Sequence, residues 1–240
     1  MSNLEKIIEA INLPKTVVEK ADKFLSTLLG SAVRETGELI TDKIRFRRFR
    51  NQILILQKAE DLLNKSGLNA KEVSLKTLVP LIEKSSLEED PTLQDMWATL
   101  LANASVSDAK SSLHAVCINV LSSISPLEAK ILARAMELYE EQRAEAKKPK
   151  PKRRWWFGGA SPGREISLWA ARFAPWQLYG ALPVTNEERN FLLDNLLRLK
   201  LLDWEAPLHL DEIPKWVHWT SLGFRVVCEC TKVPGGNDDA

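Results

Sequence analysis

Hydrophobic positions in this chain recur at helical spacing over most of its length. Leu4, Ile7, Ile8 and Ile11 repeat at i, i+3, i+4, i+7 and predict a short opening helix. Leu13-Pro14 ends it and starts a second, which turns Val17, Val18, Ala21, Phe24, Leu25 and Leu28 inward before Gly30. Over residues 31–65 only Gly37 weakens helix formation, by about 1 kcal/mol relative to alanine. A rod of about 50 Å is expected there, and Ser66-Gly67 stops it. Ser74 is expected to cap a helix carrying Leu75, Leu78, Val79 and Ile82, with Pro80 disturbing its regularity. Asp90-Pro91 joins a cap residue to the favoured first-turn proline. Leu93, Met96, Trp97, Leu100, Leu101 and Ala104 then form one apolar stripe. An apolar segment spans residues 113–124, and Ser125-Pro126-Leu127-Glu128 reads as a capping box opening a helix through Ile131, Leu132, Ala135 and Leu138.

The second half is built differently. Residues 147–159 hold six positive charges, two prolines and two glycines, the composition of an exposed insertion rather than a core element. Weak apolar periodicity returns over 166–182 around Trp169, Phe173 and Trp176. Thr185 caps a helix expected to turn Phe191, Leu192, Leu196 and Leu199 to one side. Residues 200–204 and 216–219 read as two short strands, and Thr220-Ser-Leu-Gly223 opens a closing helix that runs to about Cys230. Helix, hairpin and Thr-x-x-Gly helix together resemble the end of a winged-helix domain. The expected fold is therefore mainly α: a helical domain (1–124) around one long helix, then a winged-helix-like C-terminal domain (125–231) with a small β-hairpin. A basic, Trp-rich insertion interrupts that second domain at 146–182, and 232–240 form a disordered tail.

Composition narrows the function classes. With 45% hydrophobic and 27% charged residues the chain reads as an ordinary globular protein, and its formal charge of +1 favours no polyanion overall. Three cysteines do not make a disulfide framework. No apolar run reaches the roughly 18 residues of a membrane span, and the N-terminus lacks a signal-peptide core. A cytoplasmic protein is expected. Seven of the eight tryptophans fall between Trp155 and Trp219, which marks the same boundary as the basic run.

Two stretches carry a family resemblance. One is Gly37-Glu-Leu-Ile-Thr-Asp-Lys-Ile-Arg-Phe-Arg-Arg-Phe-Arg-Asn-Gln-Ile-Leu-Ile-Leu56. The other is Ser85-Ser-Leu-Glu-Glu-Asp-Pro-Thr-Leu-Gln-Asp-Met-Trp-Ala-Thr-Leu-Leu-Ala-Asn-Ala104. Within them Arg45, Arg48, Asn51, Glu88–Asp90, Gln94, Trp97 and Asn103 resemble the bacterial abortive-infection alpha family. Further matches lie at Leu78–Pro80, Ser125-Pro126-Leu127, Leu201-Leu202 and Thr220-x-Leu-Gly223. The insertion around Trp155 departs from the family pattern. The resemblance implies phage defence through an unknown target and supplies no catalytic residue.

Two constellations remain as candidate contacts with an anion, a nucleic acid or a partner. Arg45, Arg47, Arg48 and Arg50 interleave with Phe46 and Phe49, the composition of nucleic-acid grooves, although pairing with Glu88, Glu89 and Asp90, or simple solvation of the long helix, is the favoured explanation. Lys150, Lys152, Arg153 and Arg154 precede Trp155 and Trp156, joining phosphate-seeking cations to stacking aromatics; a membrane interface or the chain's own domain are the other surfaces such a segment suits. His114, Cys117, His209, His218, Cys228 and Cys230 do not read as a metal set, because Cys-x-Cys on a helix points its thiols about 200° apart. No nucleophile elbow, phosphate loop or dinucleotide fingerprint occurs. The expectation is a non-enzymatic antiphage protein without cofactor or metal that binds a protein partner or phage component. The alternative is a nucleic-acid binder; oligomeric state stays open.

Overall fold

The computed structural model describes residues 14–29, 43–107, 112–148, 171–180, 182–205 and 215–232. Among them the chain is mainly helical, with one two-stranded antiparallel sheet near the C-terminus, as expected. The opening helix, the upstream part of the expected rod, residues 149–170 of the expected insertion and the tail beyond Lys232 lie outside the described residues. The chain divides into two compact units, Met1–Ser123 with Cys228–Ala240, and Ile124–Val227.

In the first unit, α1 (Lys15–Leu29) and α2 (Lys43–Ser66) pack together. Helix α2 buries Ile53 and Ile55, which point to opposite sides, because it also packs on α4 (Pro91–Val106). Gly67 ends α2 at φ +68°, a conformation glycine takes without steric cost. Helix α3 (Leu75–Ser85) continues through Pro80. Ser74 stands at its N-cap position without capping a backbone amide; its hydroxyl lies 3.2 Å from that of Thr77.

Helix α4 departs from its expected single stripe. Gln94, Ala98, Thr99, Ala102 and Ser105 are buried along with Leu93, Met96, Trp97, Leu100, Leu101 and Ala104. The stripe widens to nearly the whole circumference because α2, α3 and α5 (Ser112–Leu121) all pack against it. Its small and hydroxyl residues fit close helix approaches, and Thr99 and Ser105 satisfy their hydroxyls on α4's own carbonyls. Trp97 is 1% exposed and is the largest side chain in this core.

In the second unit, the Ser125 capping box opens α6 (Pro126–Lys147): Glu128 N donates to Ser125 Oγ, and Ser125 N donates back to the Glu128 carboxylate. Asn195 also donates to that buried carboxylate, tying α6 to α8 (Asn186–Arg198). Strands β1 (Leu202–Trp204) and β2 (Val217–Trp219) pair Leu202 with Trp219 and Trp204 with Val217. Phe173, expected on a helical stripe, is instead extended. It exchanges backbone hydrogen bonds with Val217 (2.8 and 2.9 Å) and sets its ring edge-to-face on Trp219. Trp176, on the short α7 (Pro175–Tyr179), is 73% exposed rather than inward. Phe191 is also 73% exposed: α8 buries Leu192, Leu193 and Leu196 instead, since three consecutive apolar residues leave the phase of the stripe ambiguous.

Helix α9 (Ser221–Thr231) starts against the turn that precedes β1. Thr220 Oγ1 accepts from Gly223 N at 2.9 Å, and Thr220 N donates to Leu201 O at 3.2 Å. A Cβ on Gly223 would sit 1.9 Å from the Leu201 carbonyl oxygen, so only glycine fits. Gly223→Ala is expected to destabilise the protein by about 2–3 kcal/mol, by overpacking against backbone that cannot yield; urea denaturation measures it. At the start of α8 the Thr185 backbone amide, then its hydroxyl, hold the Glu188 carboxyl below its usual value. A carboxyl depressed by folding stabilises above its unfolded pKa of about 4.3 and loses that contribution as pH falls through the folded value. Protection of the first-turn amides of α8 should therefore weaken on acidification below that range, as hydrogen exchange would register.

Candidate functional site

The arginine stretch lies in the first turns of α2, facing the loop that leads into α4. Arg47, Arg48 and Arg50 are exposed, Phe49 is half-buried, and Ile53 one turn further is buried. The side chain of Arg45 lies outside the described residues, as do Lys150, Lys152, Arg153, Arg154, Trp155 and Trp156. Arg48 Nε donates to Ser86 Oγ at 2.9 Å, and Asn51 Nδ2 donates to Ser86 O at 3.1 Å. Ser86 passes its own hydroxyl proton to Glu83 O at 2.6 Å. A buried Ser85-Ser86 turn is thus satisfied by side chains from a helix some 35 residues upstream.

The acidic loop that follows is equally engaged. Asp90 Oδ1 caps α4 by accepting from Thr92 N (2.8 Å) and Leu93 N (3.2 Å). Glu88 accepts from Asp90 N at 2.9 Å, and Gln94 Nε2 donates to Glu88 O at 3.0 Å. Glu89 faces Arg47 at 3.6 Å, both largely exposed, a pairing worth little. Lys58 reaches Asp95 at 2.7 Å across α2 and α4. Of the four arginines, Arg48 is thus tied to the fold and Arg47 loosely paired.

A second polar constellation holds the last turn of α9 within the first unit. Asn103 Nδ2 donates to the carbonyls of Glu229 (2.7 Å) and Lys232 (3.0 Å). His114 Nε2, buried, lies 3.0 Å from Glu229 Oε1. One turn along α5, Cys117 lies beside Cys230, and both residues are fully buried. Burial, with Cys117 next to it, pushes the Cys230 thiol well up. Sequence reasoning had seen these groups only as a poor metal set; the signal it lacked was which residues the fold brings together. Among the described residues no three His, Cys, Asp or Glu side chains are grouped to hold a metal ion, and His209 lies outside them.

The second unit offers exposed aromatics instead of a polar cluster. Trp176 and Phe191 project from α7 and α8, while Trp204 and Trp216 stand at the end of the hairpin where the chain connects its two strands, each at least about a third exposed. Beside them Tyr179 and Arg189 pack as ring and guanidinium, 5.6 Å apart. Burial, then the Asp194 carboxylate, raises the Tyr179 hydroxyl. Among the described residues no helix is long and apolar enough to cross a membrane.

A helical scaffold whose polar groups serve its own turns, with aromatics left outside and one small two-stranded sheet, defines a mainly α-helical class of protein. Residues 43–217 match the family described as abortive infection alpha, and the chain belongs to it. Comparison with curated proteins and with solved structures yields no match. Asn51→Ala would leave the buried Ser86 carbonyl without its donor and is expected to cost about 1–3 kcal/mol, whereas Arg47→Ala should change stability by less than about 0.5 kcal/mol. Paired denaturation curves would separate the two.

Proposed function

We propose that the protein acts in abortive infection as a non-enzymatic binding protein whose partner is another protein, either an effector or a phage component. The observation that supports this reading is the placement of exposed apolar side chains. Of the eight large ones among the described residues, Trp176, Phe191, Trp204, Trp216 and Leu222 belong to the second unit, and four of these five are aromatic. Exposed aromatics cost solubility and are the residue types that dominate protein–protein binding energy. The order α8, β1, β2, α9, with its Thr-x-x-Gly opening, is the order of a winged-helix end, a scaffold that serves protein as well as nucleic-acid recognition.

Nucleic-acid binding is the second reading, favoured by Arg47 and Arg50 on α2 and by the basic run Lys150–Arg154. Against it, the outer side of α8 carries Glu187, Glu188 and Asp194 beside Phe191, a poor surface for a polyanion. A peripheral membrane contact through Trp155 and Trp156 has less support still, and no cofactor enters the proposal.

The two readings separate experimentally. Trp176→Ser with Phe191→Ser should leave the thermal transition within about 2 °C of the parent, since both side chains are largely exposed, while reducing phage protection at least tenfold in plaque counts. Unchanged protection would remove these aromatics as the contact. Titration of labelled duplex and single strand across a salt series should give no salt-dependent affinity; a steep slope would establish the nucleic-acid reading instead.

A further inference from the structure

Cys117 and Cys230 are far apart in sequence, on α5 and on the last turn of α9, yet their side chains lie side by side, fully buried, in the core of the first unit. Their opposition is held in register from both sides. His114, one turn before Cys117, engages Glu229, the residue before Cys230. Asn103 clasps the carbonyls of Glu229 and Lys232 that flank Cys230. Cys228 is two positions away on the same helix, about 200° around it, and is half-buried rather than buried. No disulfide joins any of the three. Two thiols placed by three flanking contacts in a dry core form a dithiol poised for one specific bond.

We infer that Cys117 and Cys230 constitute a reversible redox latch, in which an intramolecular disulfide fixes the last turn of α9 to α5. The oxidant is a small organic disulfide, RSSR. The Cys230 thiolate attacks one sulfur, forming the mixed disulfide and releasing RS⁻, which takes up the proton Cys230 gave up. The Cys117 thiolate then attacks the Cys230 sulfur, the second RS⁻ leaves, and it takes the Cys117 proton. The protein loses two electrons and two protons; RSSR gains both and becomes two RSH. Full burial shields both sulfurs from an external disulfide, so exchange proceeds through transient opening of the terminal turn. That turn is the last of α9, and helix ends open more readily than helix middles. Once closed, the disulfide spans a loop of about 110 residues, long enough to restrict the unfolded chain strongly.

The test uses the full-length protein in native buffer with oxidised glutathione, followed by alkylation of remaining thiols and peptide mapping. The expected product is a Cys117–Cys230 cross-link with Cys228 alkylated. It should carry a thermal midpoint raised by roughly 5 °C or more, reversed by dithiothreitol. Cys228→Ser should give the same cross-link and the same shift, and Cys117→Ser should give neither. Three alkylated thiols after incubation, a stable glutathione adduct, a bond involving Cys228, or a cross-link between molecules would each overturn the latch. The wild-type map decides the question even where Cys117→Ser folds poorly.

Discussion

A helix buried around nearly its whole circumference places a severe demand on its neighbours, and α4 is such a helix. Each buried apolar side chain on it contributes about 1.5–3 kcal/mol, but each polar group that accompanies them must find a partner inside. The turn leading into α4 has no water to solvate Ser85 and Ser86, both fully buried. Arg48 and Asn51 of α2 answer that need, Asp90 and Gln94 order the loop itself, and Asn103 extends the same role to the C-terminal turn of α9. Much of the polar structure of the first unit is the accommodation of one central helix.

This explains what the family resemblance is made of. Among the positions through which the chain resembles its family, Arg48, Asn51, Glu88, Asp90, Gln94, Trp97, Asn103, Thr220 and Gly223 are engaged in holding the fold. They cap, clasp or fill. A sequence signature of this kind identifies an architecture. The exposed aromatics Trp176, Phe191 and Trp216 are not among those positions, although they lie within the stretch that matches the family.

Legibility followed the range of the interactions. Caps and stops were readable because their determinants lie within four residues: Asp90-Pro91, Ser125 with Glu128, Thr185 with Glu188, Gly67, and Thr220 with Gly223. The two short strands were readable from their flanking turns. The circumferential burial of α4 was not, because alanine, serine and threonine give no periodic signal and only neighbouring helices decide their burial. Phe173 and Phe191 were misassigned for related reasons. Phe173 gains its extended conformation from pairing with Val217, over forty residues later, and Phe191 lies in an apolar triplet whose phase tertiary packing selects. A pairing of the arginines with the Glu88–Asp90 loop was foreseeable from charge, and Arg47 meets Glu89 there, but the bond from Arg48 to Ser86 was not, because no local pattern connects them.

The closing turn of α9 also orders events in time. Asn103 and His114 wait for Glu229, 126 and 115 residues further along the chain, and the whole second unit is synthesised in between. On the ribosome the first unit therefore emerges early but lacks this clasp until the second unit has been made. A nascent chain that has not reached Glu229 would present Cys117 and the end of α5 uncovered.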